Sequence, residues 1–293
     1  MKVLSEKCLV LSVKSDKMRQ KEKLKNWMIL VILGLAVMSC VKENAPYISQ
    51  PAKENNVTIS FMHTVDGAPL QLDTLIYMTS AGNQYLVTDL QYFISCIRLH
   101  QAGGKWIDIN PDHEVHYVDA RIPNTWQWSL VKSFKEAAMD SISFVFGLDS
   151  ENNISYRFPD PPERDMFWPE VLGGGYHYMK LNLKWKNNEM TDLMPFMFHL
   201  GIGQIYKGNV IDPDSIIGYV PNYFTVRLPF NHGTKSGEVS NSWGIKMNIE
   251  KWYDGFYAFD FADYPMGIMQ NQEGMFNAAR NGKYAFDFEV AIK

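Results

Sequence analysis

The side chains of this sequence best suited to bind a metal are its seven histidines: His63, His100, His113, His116, His177, His199 and His232. No common catalytic motif accompanies them. The chain contains no HExxH, CxxC or GxSxG motif and no glycine-rich phosphate-binding loop. Without a nucleophile–base pair or a defined carboxylate pair, an enzyme is the least favoured interpretation. Neutral imidazole is the commonest protein ligand for metals, whereas any single histidine is also compatible with a structural role.

A second feature is the stretch of residues 166–183, which holds a tryptophan, a glycine hinge and an imidazole. Gly173, Gly174 and Gly175 join a polar loop to an alternating strand, where the backbone needs positive φ or a close approach. His177 follows between two tyrosines, and Trp168 precedes a proline, which favours an extended tryptophan. This spacing is typical of a site, and we expect other histidines to converge on it.

Several other side chains have two interpretations each. Met266 and Met269 are either soft thioether ligands suited to Cu⁺ or flexible apolar side chains that fill the core. The second interpretation is favoured. The acidic run at 160–165 is either a Ca²⁺ site or a solvated loop, with the loop favoured. Trp126 and Trp128 are two residues apart, so on a strand they share one face and either stack on a sugar or pack in the core.

The elements that position these residues are mostly short strands. Alternating or β-rich runs fall at 57–63, 84–87, 90–99, 106–109, 115–118, 141–146, 176–185, 196–200, 222–228, 244–249 and 284–292. Helical periodicity favours 272–281, with a C-cap at Gly282. The sequence predicts an all-β fold: an antiparallel β-sandwich of immunoglobulin-like type with long loops and a short C-terminal helix.

The start of the chain has the pattern of a bacterial lipoprotein signal. A basic run at 17–25 precedes an apolar run at 27–38, which is about half as long as a membrane-spanning helix. The tetrad VMSC at 37–40 resembles a lipobox, in which Cys40 becomes the lipidated first residue. An uncleaved anchor or an unrelated cysteine is the alternative.

This pattern predicts three parts of the chain. Residues 1–39 are a signal peptide, 40–56 a lipidated tether and 57–293 the folded domain. The protein is then expected in the cell envelope, attached by its lipid anchor to the outer membrane, on the periplasmic face or the cell surface.

Composition narrows the choice of partner. The chain has 28 Lys+Arg and 32 Asp+Glu; residues 1–39 hold 8 and 3 of these, which leaves 20 and 29 and a net charge of −9. This negative net charge of the chain after residue 39 argues against a nucleic-acid partner. Removal of Cys8 and lipidation of Cys40 leave Cys96 alone, which excludes an internal disulfide and favours a buried thiol.

An ordered set of motifs gives the chain a family resemblance. The motifs are FMHTVDGAPL (61–70), TDLQYFIS (88–95), HYVDA (116–120), FVFGLD (144–149), MFW (166–168), GGGYHYMK (173–180) and FHLG (198–201). This order resembles the MbnP-like family of periplasmic or surface copper-binding proteins, over about residues 57–293, and the leader resembles that of a Bacteroidetes-type lipoprotein.

The resemblance implies a β-sandwich that binds copper, as Cu⁺ or Cu²⁺, through histidines. In some members a tryptophan is oxidised to kynurenine and joins the site, and a di-haem peroxidase-like partner performs the oxidation. On the matching motifs the ligand candidates are His63 and His199, followed by His177 and His116, and Trp168 is the candidate for oxidation.

The chain departs from the family pattern in two respects. The cysteine pairs of some members are missing, and a late histidine is replaced by a segment that contains Met266, which becomes a further ligand candidate. The main hypothesis is a membrane-anchored copper-binding protein for acquisition or handling of the metal, and not an enzyme. The alternative is a glycan- or protein-binding surface module without metal, which the 14% aromatic content favours.

Overall fold

The computed structural model describes residues 54–109, 114–133, 139–208, 211–230 and 242–290. The chain divides into two compact units, Met1–Pro51 and Ala52–Lys293, and the described residues belong to the second. The predicted signal peptide, Cys40, His113 and His232 lie outside the described residues. Within the described ranges, no helix combines the length and the apolar character needed to cross a membrane.

Strands dominate the described part of the chain. They are β1 (Glu54–Val65), β2 (Ala68–Pro69), β3 (Tyr77–Met78), β4 (Gln84–Gln101), β5 (Trp106–Asp108), β6 (Val115–Asp119), β7 (Gln127–Ser133), β8 (Met139–Phe146), β9 (Met179–Lys186), β10 (Met194–Leu200), β11 (Gly203–Tyr206), β12 (Ile216–Val220), β13 (Phe224–Pro229), β14 (Ser242–Asn248) and β15 (Phe286–Val290). The α-helix α1 spans Gln272–Gly282, and short 3₁₀ helices span Pro123–Trp126, Glu163–Met166, Glu170–Leu172, Pro213–Ser215, Ile249–Trp252 and Phe261–Asp263.

The strands form two large sheets and a separate hairpin. Sheet A has the order β15-β14-β1-β2, with β7 also paired to β1. Sheet B has the order β10-β9-β4-β8-β13, with β3, β5 and β6 paired to β4, and β11 pairs with β12. The named strands pair antiparallel except β1 and β14, which run parallel from Thr58↔Ser242 to Thr64↔Asn248. The predicted all-β sandwich is confirmed.

The core between the sheets is rich in aromatic rings. Phe61 of β1 meets Tyr92 of β4 edge to face, with ring centroids 6.4 Å apart. Phe286 of β15 packs at 5.4 Å from both Phe144 and Phe146 of β8. Fully burying one such side chain stabilises the fold by about 1.5–3 kcal/mol, so these contacts between sheets A and B hold the sandwich together.

Helix α1 confirms the predicted C-terminal helix. It begins where predicted because the Asn271 side chain accepts a hydrogen bond from the Gly274 amide at 2.8 Å and caps the first turn. Gly282 lies inside the helix rather than beyond it. A Cβ at this position would lie 2.4 Å from the Trp252 ring, so the close packing of that ring requires glycine.

Part of the outer face of sheet B, the face turned away from sheet A, is covered by residues 147–178, here termed the covering loop. Tyr92 and Phe93 are neighbours in β4 and point to opposite faces, yet they are only 1% and 0% exposed. Phe93 stacks on Phe158 at 5.3 Å and meets Tyr176 edge to face at 6.1 Å. The covering loop thereby lies on the outer face of sheet B.

Candidate functional site

Two of the four candidate histidine ligands meet on the outer face of sheet B. The rings of His177 and His199 have centroids 5.1 Å apart and lie at 86° to each other. Both side chains are buried, with 5% and 7% exposure. His177 lies at the end of the covering loop and His199 lies in β10, so the contact depends on the covering loop reaching the edge of sheet B.

His199 has one nitrogen anchored and the other without a partner. Its Nε2 lies 2.8 Å from Asn182 Oδ1, and the Asn182 amide nitrogen donates to Asp89 at 3.4 Å, which orients the amide. The amide oxygen accepts hydrogen bonds only, so Nε2 carries the proton and Nδ1 keeps its lone pair. Nδ1 is buried and has no hydrogen-bond partner within the described structure. A buried lone pair of this kind is suited to a metal ion.

His177 is oriented by the backbone of the covering loop. Its amide and its ring Nδ1 both lie within hydrogen-bonding distance of the Met166 carbonyl, at 2.7 and 2.9 Å. A carbonyl oxygen accepts hydrogen bonds, so Nδ1 carries the proton and the lone pair lies on Nε2. The ring of His177 is therefore also fixed as a neutral tautomer, with its lone pair on Nε2.

The glycine hinge behaves as the sequence predicts. Gly173, Gly174 and Gly175 have φ values of 114°, 68° and 77°, in the region that favours glycine. A Cβ at Gly175 would also lie 2.2 Å from the Asn153 side chain. The chain can therefore reverse tightly here and return to β9 with His177 beneath Trp168.

Trp168 packs directly against this pair of imidazoles. Its ring is fully buried and meets His177 edge to face at a centroid distance of 4.6 Å. The indole N–H donates to the Leu172 carbonyl at 3.1 Å. A Cβ at Gly201, just beyond β10, would lie 2.7 Å from the indole ring, so Trp168 packs directly against backbone that carries no side chain. Together, Trp168, His177 and His199 are termed the imidazole pair site.

Burial keeps both imidazoles of this site neutral. It lowers the pKa of His199 from its ordinary 6.5 to about 3, with a further contribution from the charge of Lys180. The pKa of His177 falls well below its ordinary range, first through burial and then through His199 and Lys180. Neutral imidazole is the form that coordinates metals, so no proton has to be displaced from either ring near neutral pH.

The other two candidate histidines, His63 and His116, lie between the sheets. His63 Nε2 lies 3.0 Å from the Tyr92 hydroxyl, and burial lowers the pKa of His63 to about 4, against an opposing effect of Asp119. His63 also lines a cavity of about 440 Å³. His116 is stacked between Phe61 and Trp128, at 5.4 and 5.1 Å, and its Nε2 donates to the Thr125 carbonyl at 2.7 Å.

Sheet B separates His63 from His199, so the expectation that they converge is not met. Tyr92 reaches His63 in sheet A, and its neighbour Gln91 therefore points to the outer face. Gln91 is paired with Lys180, and Lys180 with His199, which places His199 on that outer face. Two residues of one strand face can meet, whereas residues on opposite faces have the sheet between them.

The two remaining side chains considered as ligands are Met266, whose backbone pairs with β10 two residues before His199, and Cys96. Met266 has φ 69° and is 63% exposed, and its carbonyl accepts from the Met197 amide at 2.9 Å. Cys96 donates to Asp149 at 3.1 Å, and burial raises the pKa of its thiol to about 11, which does not favour a metal-binding thiolate. In the described ranges, no group of three or more His, Cys, Asp and Glu side chains is arranged to hold a metal.

The two tryptophans of the binding-module hypothesis do not share a strand face, so that prediction is wrong. Trp126 ends the 3₁₀ helix Pro123–Trp126, which Pro123 begins, and only Trp128 lies in β7. Trp128 is 6% exposed and packs in the core against His116, whereas Trp126 is 37% exposed beside the His63 cavity.

Sequence reasoning did not identify Asn182, which anchors His199. Its only signal is its position in β9, two residues after Lys180 and on the same face of the strand. A polar residue at an outward position of a strand is ordinary, so the sequence does not distinguish this asparagine from a solvated one.

Fold and site together define a class of protein: a two-sheet, all-β protein with a buried pair of neutral imidazoles beside a tryptophan. The family model described as MbnP matches residues 54–270, and the chain belongs to the MbnP family. A solved structure, MbnP from Methylosinus trichosporium, is similar with a TM-score of 0.45 and 15% identity over 72% of this chain and 80% of that chain. Comparison with curated proteins gave no match.

Proposed function

We propose that this protein binds one copper ion at the imidazole pair site and acts as a copper carrier rather than as an enzyme. The observation that carries the proposal is the buried Nδ1 of His199, whose lone pair has no partner within the described structure while Nε2 is anchored by Asn182. Membership in the MbnP family supports copper as the metal.

The residues present fit such an ion. Two imidazoles bound to one ion through bonds of about 2.0–2.1 Å have ring centroids within about 6.5 Å of each other, and the observed separation is 5.1 Å. Both rings have their second nitrogen fixed by an oxygen acceptor, the usual outer-shell arrangement of ligating histidines. Imidazole suits copper in either oxidation state.

Trp168 is the third residue of the proposed site, beside the two histidine ligands. It touches His177 and is fully buried, so a change in its ring chemistry changes the immediate surroundings of the ion. We include in the proposal its oxidation by a di-haem peroxidase-like partner, and attachment to the outer membrane through Cys40. Peptide mass measurement on protein from the native envelope tests both modifications.

The test is a titration of the metal-free protein with Cu⁺ and with Cu²⁺. The wild type is expected to bind about one ion, and His177→Gln and His199→Gln are each expected to weaken binding by about 10-fold or more. His63→Gln and His100→Gln serve as matched controls and are expected to retain wild-type affinity. Circular dichroism of each variant confirms that the fold is kept.

Two results would overturn the proposal. Absence of copper uptake by the wild type would exclude copper binding altogether. Loss of copper in His63→Gln with retention in His199→Gln would move the site to the cavity between the sheets.

A further inference from the structure

A second concave surface, remote in the chain from the imidazole pair site, has the charge and the aromatic lining of a ligand site. This basic cleft has a volume of about 490 Å³ and lies between the segment after Trp252 and the end of α1. Its lining includes Lys251, Phe256, Tyr257, Arg280, Lys283 and Tyr284. Three cations and no carboxylate line the basic cleft, although the chain as a whole has a net charge of −4.

The floor of the basic cleft is fixed by Asn281. Its side-chain amide donates to the carbonyls of Trp252 and Tyr257 at 3.0 and 2.7 Å, and its oxygen accepts from the Tyr257 amide at 3.0 Å. A Cβ at Gly255 would lie 2.7 Å from the Asn281 side chain, so the two walls approach closely there. The concave shape is therefore built into the packing of the loop on α1, and it lies in the size range of small-ligand sites.

Arg280 is oriented without being neutralised. Its guanidinium lies over the rings of Tyr257 and Phe276, at 5.2 and 5.5 Å from their centroids. Neither Arg280 nor Lys283 forms an ion pair with a carboxylate of the described residues, and Lys251 has only Asp287 at 3.9 Å. The planar fork of Arg280 is therefore available to a carboxylate, which it can bind through two parallel hydrogen bonds.

Two aromatic rings at the rim of the cleft are unusually exposed. Phe256 is 83% exposed and Tyr284 is 74% exposed. Exposed aromatic rings beside a concave polar surface mark interaction sites, because covering them releases apolar surface from water. Flat apolar faces next to carboxylate-binding cations match the chemistry of an acidic sugar, which has both an apolar ring face and a carboxylate.

We propose that the basic cleft binds an acidic saccharide, with Arg280 pairing with the sugar carboxylate and Tyr284 and Phe256 stacking on the sugar rings. Lys251 and Lys283 then attract the neighbouring negative charges of the chain. The proposal is independent of copper binding, since the cleft shares no residue with the imidazole pair site.

The experiment is a calorimetric titration of the full chain with a trimer of galacturonic acid, and with maltotriose as the neutral probe. The acidic trimer is expected to bind, with affinity that falls as salt rises, and maltotriose is not. Arg280→Met is expected to weaken binding by about tenfold or more, Tyr284→Ala by a smaller factor, and Lys184→Met, an exposed cation of β9, not at all. Thermal unfolding of each variant confirms folding.

Vesicles that contain an anionic phospholipid form the second arm. Equal binding of the two saccharides, or equal binding by Arg280→Met and the wild type, would overturn the proposal. Absence of saccharide binding together with vesicle binding that depends on Arg280 and Tyr284 would also overturn it, in favour of a membrane surface.

Discussion

At the scale of single residues, the two nitrogens of His199 have opposite surroundings, and this difference gives the ring its proposed chemistry. Asn182 accepts from Nε2 and is itself oriented by Asp89, while Nδ1 is buried without a partner in the described structure. A buried polar atom without a partner destabilises a fold by about 1–3 kcal/mol. A bound cation would remove that penalty, which is why this nitrogen is the strongest sign of a ligand.

Lys180 offers a residue-scale test because its charge opposes a cation at the site. It is level with His199 on the outer face of sheet B, and its charge lowers the pKa of both imidazoles. We expect Lys180→Met to raise the copper affinity by about tenfold or more, because two unit charges about 8 Å apart repel by about 2 kcal/mol at an effective dielectric constant near 20. Competition titration against a copper chelator measures the change.

The matched control for this prediction lies on the same strand and the same face. Lys184 is four residues from Lys180 in β9, or about 13 Å along the strand, beyond the range of strong interaction at ordinary salt. Lys184→Met is expected to leave the affinity unchanged. Equal affinities for Lys180→Met and the wild type would show that the ion is not beside Lys180.

At the scale of elements, the imidazole pair site exists because the covering loop folds back onto the end of β10. Trp168 reaches across to Gly201, where its ring lies against backbone that carries no side chain. The loop also returns through three glycines with positive φ before His177. The site therefore depends on glycines in two elements that are distant in sequence.

Gly201→Ala tests this dependence. The added Cβ would lie 2.7 Å from the Trp168 ring, so we expect a loss of about 1–3 kcal/mol in the free energy of unfolding and a shifted tryptophan emission. The copper affinity of Gly201→Ala is also expected to be lower than that of the wild type. Gly218→Ala in β12 is the control, since its nearest neighbour is 3.5 Å away; a larger loss in this variant than in Gly201→Ala would contradict the argument.

At the scale of the whole molecule, the two faces of sheet B each bury neutral histidines. Burial lowers the pKa of His63 and His116 on one face and of His177 and His199 on the other. Unfolding releases these rings to water, where they bind protons near pH 6.5. The unfolded state therefore binds more protons than the folded state in mild acid, and acid destabilises the fold.

His63 permits a quantitative test of this acid sensitivity. Its folded pKa of about 4 lies below the unfolded value of 6.5, so its contribution to stability is intact above pH 6.5 and is lost progressively as the pH falls toward 4. One such group changes the free energy of unfolding by at most about 1.4 kcal/mol per pH unit. We expect urea unfolding between pH 7 and 4.5 to show a shallower pH dependence in His63→Gln; an unchanged slope would show that His63 has the same pKa in the folded and unfolded states.

The strands and the helix could be predicted well because their signals are local. Period-two alternation located β1, β8 and β10 to within a few residues, and the helix signal located α1 to within one. The sequence divided β4 into two runs, since the register shift between Val87 and Asp89 interrupts the alternation. The β11–β12 hairpin was not predicted, because its two strands are only four and five residues long and pair only with each other.

The sequence by itself determined the all-β fold, the C-terminal helix, the glycine hinge before His177 and the set of histidines that are candidate ligands. Only the tertiary structure decided which histidines meet, because alternate residues of a strand point to opposite faces. The pairing of β4 with β9 and of β9 with β10 places His199 on the outer face of sheet B, and the covering loop brings His177 to it, while His63 stays between the sheets. That choice depends on long-range strand pairing, which no local pattern in the sequence specifies.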